Sequence, residues 1–408
     1  MPEKYKVALL DCGGTISMTE EDGIAQLGLE PLNFDKVVHH SKYARDIDLI
    51  TEEKVLCQDS SDAKPEDWMY IGRKVIGKLK KTDGLDGIVI THGTDTAADA
   101  VIALSYLLKK LPMPIVLTGS QMPARNPDKT LNYNSDAFSN LANSANVAAK
   151  SNIAECCLVF NNKIHQSENL IKKDAWDVDA FTNVNRRCIG KVKDDEIEIG
   201  DCETTRNSNK DFFIDKKFEP YKVGSLKIRP NLRPATLNNF MKNYYSVVLE
   251  SFGGGNIPKR LIDKSVKDAV NDGKFIINCT QPRGIVDMSS GYSLGRDFLE
   301  AGKKDGDDSP LYVITGGDWT PSYAEIRMAY ILGHKRDIKA VASKQSLDPA
   351  HLIHATFIAG VKFTNQSSRD KYKDITRVTP YPKNILHNND FNDVIRTIAN
   401  YQWKGWEL

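Results

Sequence analysis

The sequence predicts two α/β domains with mainly parallel sheets, a larger one first, and three observations carry that expectation. The 408 residues exceed one ordinary domain and suit two. Short β-branched or apolar runs alternate with longer amphipathic stretches, the pattern of parallel strands joined by crossover helices. The third is a break in that alternation, at about residues 192–222, where charged residues lose periodicity before the pattern resumes at Val223.

In chain order, buried strands are expected at Lys6–Cys12, Gly87–His92, Pro114–Gly119, Glu155–Asn161, Ser246–Phe252, Lys274–Thr280 and Leu311–Gly316. Each is a short apolar run rich in Val, Ile or Leu, as expected of strands covered on both faces. Helices are expected near 65–81, 95–110, 134–151, 258–272, 292–302 and 322–335, where apolar residues recur at helical spacing. The first domain then spans 1–205, a linker 206–222 and a second domain 223–345. Residues 346–408 form an extension packed on the second domain, ending in a helix-like stripe of Phe391, Val394, Ile395, Ile398 and Tyr401.

Composition excludes several functions. With 55 basic and 54 acidic residues the formal charge is +1, without the broad basic face that displaces counterions from nucleic acid. Lys78, Lys80 and Lys81 read as a solvated helix end. The first residues hold only four apolar positions in a row before Asp11, too few for a signal peptide, and no run is long enough to span a membrane. Seven cysteines form an odd set without CxxC spacing, which fits a reduced, cytoplasmic setting and no zinc site. Neither a metal nor another cofactor is expected.

Ligands of open parallel sheets bind beyond the carboxyl ends of the strands, so the chemistry is sought there. The first strand ends in Asp11-Cys12-Gly13-Gly14-Thr15, a sharp turn that lets backbone approach a ligand. A haloacid-dehalogenase-type phosphatase would need a second Asp, as in DxDGT, and this chain lacks it. A later strand ends in Thr91-His92-Gly93-Thr94-Asp95-Thr96 and another in Thr118-Gly119-Ser120-Gln121-Met122-Pro123, both rich in hydroxyl and amide groups. Between the first two strand ends lies the polar loop Gln58-Asp59-Ser60-Ser61-Asp62. Each residue has a structural use, since Thr after Gly-Gly is an ordinary turn residue and Asp95 or Thr94 can cap a helix. Together they suit a small polar substrate with its own amine and carboxylate. Threonine is a weak nucleophile unless a base or an amine activates it.

The motifs LLDCGGTIS, QDSSD with PEDW, GIVITHGTDT, PIVLTGSQMP, GGGNIP and GGDWTP make the chain resemble the L-asparaginases of the bacterial and archaeal type, a family that includes the amidase subunit of archaeal glutamyl-tRNA amidotransferase. The resemblance runs from Val7 to about Gly333. It implies a cofactor-free hydrolysis of L-asparagine to aspartate and ammonia, with Thr15, Thr94, Asp95 and Lys172 as catalytic residues. Thr15 is the expected first nucleophile, Lys172 the base and Gly93 with Thr94 the oxyanion donors. Lys173 adjoins Lys172, so the family's lysine can fall on either. Asp59, Ser60, Ser61, Gly93 and Asp95 would bind substrate, with Asn256 supporting the site across a subunit contact in a homodimer or homotetramer. One departure is visible: the family's loop tyrosine has no counterpart between Ser17 and Val37, and the nearest is Tyr43. Two alternatives remain, an amidotransferase subunit, whose family carries an extra small domain before GGTI, and an amino-acid-binding homologue without turnover.

Overall fold

In the computed structural model the described residues are 4–21, 24–27, 33–40, 44–51, 54–193, 196–200, 205–288, 293–306, 311–344 and 348–358. The chain divides into two compact units, Met1–Lys216 and Lys217–Leu408. Both are α/β, with a large mainly parallel sheet in the first and a separate parallel sheet in the second. The stripe at Phe391–Tyr401 and Tyr43 lie outside the described residues.

The first unit contains β1 (Tyr5–Asp11), β2 (Met18–Glu21), β3 (Ile24–Leu27), α1 (Phe34–His40), β4 (Ile47–Thr51), α2 (Pro65–Lys81), β5 (Gly87–Thr91), α3 (Ala97–Leu107), β6 (Leu108–Lys109) and β7 (Ile115–Thr118). After these come α4 (Ala137–Lys150), β8 (Cys156–Phe160), β9 (Lys163–Gln166), β10 (Leu170–Lys172), β11 (Phe181–Asn183), β12 (Gly190–Lys193), β13 (Glu196–Ile199) and β14 (Phe213–Ile214). Eight strands form the main sheet in the order β13-β12-β9-β8-β7-β5-β1-β4. Pairing is parallel from β4 to β8 and antiparallel from β8 to β13.

Strand periodicity explains the two layers of helices. Val7, Leu9, Val89, Val116 and Cys157 point into one core with α1 and α4, whereas Ala8, Leu10, Ile88, Ile90 and Leu117 point into the other with α2 and α3. A central strand apolar at every position therefore fills both cores, and each large aliphatic side chain contributes about 1.5–3 kcal/mol on burial. Helix α2 starts where Pro65 fixes the first turn and the Asp67 carboxylate accepts the Lys64 N–H at 2.8 Å. It ends in Lys78, Lys80 and Lys81, which complement the carbonyl end of the helix.

Two boundaries stand out against the sequence-based expectation. The helix expected at 95–110 stops at Leu107, because Leu108 and Lys109 pair as β6 with β14. Residues 206–222, expected as a linker, are divided between the units, and each part is bonded to its own unit. The Arg206 guanidinium donates to the carbonyls of Asp86, Ala148, Ala149 and Ser151, and Asp215 N–H donates to Leu107 O at 2.7 Å. In the second unit Glu219 N–H donates to Ala329 O at 3.0 Å.

The second unit holds β15 (Val223–Lys227), α5 (Pro234–Lys242), β16 (Ser246–Ser251), α6 (Lys259–Leu261), a π-helical turn (Ile262–Val266), α7 (Lys267–Asn271), β17 (Phe275–Thr280), α8 (Ser293–Glu300), β18 (Val313–Thr315), α9 (Pro321–Gly333), α10 (Lys335–Lys344) and α11 (Pro349–Ile358). Its four strands lie parallel in sequence order. Helix α11 falls within the expected extension, and its last turn is held by Arg327, which donates to Phe357 O at 3.0 Å and Thr356 O at 2.8 Å. No helix among the described residues is long and apolar enough to cross a membrane.

Candidate active site

Strands β1, β5 and β7 lie side by side with Asp11, Thr91 and Thr118 in register, so the loops that follow them open on one edge of the sheet. The buried Asp11 carboxylate fixes the first loop, accepting from Gly13 N–H at 3.0 Å, Ser17 Oγ at 2.9 Å and Thr91 Oγ1 at 2.7 Å. Backbones then meet without intervening side chains. Gly14, at φ 83°, faces the backbone of Gly93, and Gly93 faces the Ser60 side chain; a Cβ at either glycine would collide. Thr96 Oγ1 closes the arrangement by donating to Ser60 O at 2.8 Å.

These loops surround a cavity of about 520 Å³, ample for a small amino acid. Thr15, which opens a short 3-10 turn, and Thr94, which follows β5, both line it. Lys172, the last residue of β10, donates from Nζ to Thr94 Oγ1 at 2.8 Å and to Asp95 Oδ1 at 2.7 Å. Strand alternation sends Lys173 the other way, to Asp179 Oδ2 at 2.7 Å, so Lys172 is the lysine at the cavity. Burial pushes the Asp179 carboxyl up, but the hydrogen bonds from Lys163 and Lys173 outweigh it and hold the group well below the ordinary range.

Asp59, Ser60, Gly93 and Asp95 also line the cavity. Among the described residues the Thr15 hydroxyl and the N–H groups of Gly93 and Thr94 make no hydrogen bond, so they remain open to a ligand. Ser61 does not line it. Its side chain is exposed, and its N–H instead holds the Asp59 carboxylate at 2.8 Å. Asn256 belongs to the second unit, in a turn where its N–H donates to Phe252 O at 2.8 Å.

Two neighbours are unsuited to catalysis. Burial, reinforced by Asp11 and Asp67, pushes the Cys12 thiol well above its ordinary range, so it stays protonated. Burial lowers the His92 pKa, and the neutral ring meets Gly93 O through Nδ1 at 2.8 Å. No group of three His, Cys, Asp or Glu among the described residues could hold a metal ion.

The sequence motifs give no role to Gln121, Met122, Met18, Ala175 or Trp176, all of which line the cavity. The first two lie in the TGSQMP strand end, already conspicuous for its hydroxyl and amide groups. Gln121 carries the clearest missed signal, an amide following a strand of the central sheet. Lys172 is positioned by a buried staple. His165 Nδ1 meets Asn183 Oδ1 at 2.8 Å, while Asn183 Nδ2 donates to the carbonyls of Gln166 and Glu168 at 2.8 and 2.7 Å. Those two donated bonds leave Asn183 Oδ1 as the acceptor, so His165 donates as the neutral Nδ1–H tautomer. Asn183 pairs with Leu170 in the β10–β11 hairpin, two residues before the lysine.

This geometry, hydroxyls and an amine around a cavity that can admit an amino acid, coincides with a clear set of relatives. Residues 6–204 match the asparaginase N-terminal domain family, and residues 222–343 match the glutaminase/asparaginase C-terminal domain family. The L-asparaginase of Thermococcus kodakarensis is 31% identical over 340 residues, 82% of this chain and 95% of that protein. Its solved structure superposes with a TM-score of 0.69, covering 85% of this chain and 98% of that one. The structure of L-asparaginase I from Vibrio cholerae, 25% identical, gives a TM-score of 0.66 over 83% of this chain and 96% of that one. A glutamyl-tRNA(Gln) amidotransferase subunit from Methanobrevibacter smithii is 28% identical over 362 residues, 84% of this chain and 75% of that protein. By both of its domains, and by the fold that carries them, the chain belongs to the asparaginase family of amidohydrolases.

Proposed function

We propose that the chain is an L-asparaginase that hydrolyses the side-chain amide of L-asparagine to L-aspartate and ammonia through a threonyl ester, without a cofactor. The observation that carries this reading is Lys172 bonded to both Thr94 and Asp95 beside a cavity that Thr15 also lines. In the first step Thr15 Oγ1 bonds to the amide carbon, its proton passes toward the Thr94–Lys172 relay, and ammonia leaves with a proton. Water then attacks the aspartyl ester and restores the threonine. Lys172 orients Thr94 while it is an ammonium; it can take the hydroxyl proton only after losing one of its own. The N–H groups of Gly93 and Thr94 are the proposed oxyanion donors. Asp59, Ser60 and Asp95 suit the substrate's α-amino and α-carboxylate groups, with Ser61 acting through Asp59 and Asn256 through a partner subunit. A homodimer or homotetramer is proposed on that basis, with no nucleic-acid or membrane partner. The six free thiols among the described residues support a reducing, cytoplasmic setting.

A second reading is favoured by the similarity to glutamyl-tRNA(Gln) amidotransferase subunits, in which ammonia would be delivered to a partner enzyme. Ammonia release from L-asparagine and L-glutamine by the purified chain, beside Thr15→Ala and Thr94→Val, separates the readings. Wild-type activity on asparagine, lost in both variants, is the expected result. Activity that appears only with a second protein would favour the amidotransferase, and none with either amide would refute the hydrolase.

A further inference from the structure

Gln121 sits between the proposed relay and a turn at the cavity rim. Its backbone is fixed, because the N–H groups of Gln121 and Met122 donate to the Asp136 carboxylate at the start of α4, at 2.9 and 3.0 Å. Its side-chain amide is fixed as well. Nε2 donates to Ala175 O at 3.1 Å and Asp177 O at 3.0 Å, so a flipped amide would set its oxygen against two carbonyl oxygens. Oε1 is thereby turned to the Thr94 hydroxyl, 3.4 Å away. Thr94 Oγ1 accepts from Lys172 at 2.8 Å, so its own proton is directed to Gln121.

The turn that holds the amide is itself built by Asp174, whose Oδ1 accepts from the N–H groups of Trp176 and Asp177, both at 2.8 Å. The Trp176 side chain, 90% exposed, stands at the cavity rim on this turn. We infer that Gln121 is a positioning residue that couples the Asp174–Asp179 turn at the rim to the direction of the Thr94 hydroxyl. An arriving substrate that orders or displaces the turn changes the two acceptors of Nε2, and through Oε1 it changes where the Thr94 proton points. At 3.4 Å the bond to Thr94 is longer than an ordinary O–H···O hydrogen bond, so it directs the proton while holding it weakly.

The kinetic arm of the test rests on the amidohydrolase reading, whereas the exchange arm does not. In the full chain, Gln121→Met and Asp174→Ala should each lower kcat ten-fold or more with KM within two-fold. The double variant should fall no further than the worse single one, because both act on one unit. Asp174→Asn, which keeps the acceptor oxygen, should restore kcat to within three-fold of wild type. Hydrogen exchange of residues 173–179 should be faster in Gln121→Met, a readout that needs no turnover. Gln121→Asn, too short to bridge the turn and Thr94, substitutes if the Met variant fails to fold. A smaller kcat loss, losses that multiply, or unchanged exchange would overturn the inference. A wild type without amidase activity would sink the proposed function alone, and the exchange arm would then decide this one.

Discussion

Acidifying the protein should loosen the segment that carries Lys172, and His165 makes the effect calculable. Burial, the largest influence, lowers the His165 pKa from 6.5 to about 4, with Lys163 and Lys173 pushing the same way and Asn183 and Asp179 opposing. A histidine depressed in the folded state contributes stability that is fully present above the unfolded pKa of about 6.5. That contribution is lost as pH falls from 6.5 towards 4, where the folded protein must also take up the proton. The gap of about 2.5 units at 1.36 kcal/mol each corresponds to about 3 kcal/mol. Urea unfolding of wild type and His165→Gln, followed from pH 7.5 to 4, measures it as the difference between the two curves. Wild type should lose about 3 kcal/mol more than the variant, with exchange at 165–172 and 181–183 rising first. Parallel curves would show that the buried imidazole does not resist protonation, and would refute the staple as the source of acid sensitivity.

Two further changes separate chemistry from stability. If the proposed hydrolysis of asparagine is the activity, Lys172→Met should lower its rate by roughly 10²–10⁴-fold, the loss expected for a proton-transfer group. Its melting temperature should barely move, because the paired Asp95 side chain is 59% exposed and such a pair is worth at most about 1 kcal/mol. Arg206→Met should do the reverse. Losing a guanidinium bonded to four backbone carbonyls should cost about 3 kcal/mol in chemical denaturation while kcat stays within two-fold.

The central strands and the loops after them are legible in the sequence because both depend on local chemistry. Apolar runs flanked by glycine and hydroxyl residues mark β1, β5 and β7, and Pro65 with a basic final turn marks α2. What could not be read depends on distant partners. β10 and β11 are three residues each and acquire their direction from the His165–Asn183 staple, so nothing local distinguishes Lys172 from Lys173. The end of α3 is set by β14, more than a hundred residues on. The charged stretch expected as a linker contains Arg206, whose charge is directed inward to carbonyls. Burial lowers its pKa, while Asp86 and Tyr5 oppose the shift. Ser61 follows its motif into the expected substrate set, but the 3-10 turn at Ser60–Asp62 leaves its side chain outside the cavity.

The contact of Gly14 with Gly93, and of Gly93 with Ser60, divides the cavity into parts with different capacity for change. On that floor the smallest possible side chain, one methyl group, already meets backbone or a buried serine, so single substitutions there have no room to be accommodated. The rim is built otherwise, from the side chains of Met122 and Trp176, each of which reaches solvent. Selection for a new amide substrate would therefore find its tolerated variants at Met122 and Trp176, with the glycine floor held constant. A library confined to the rim should retain folded members at a far higher frequency than one spread over the whole cavity.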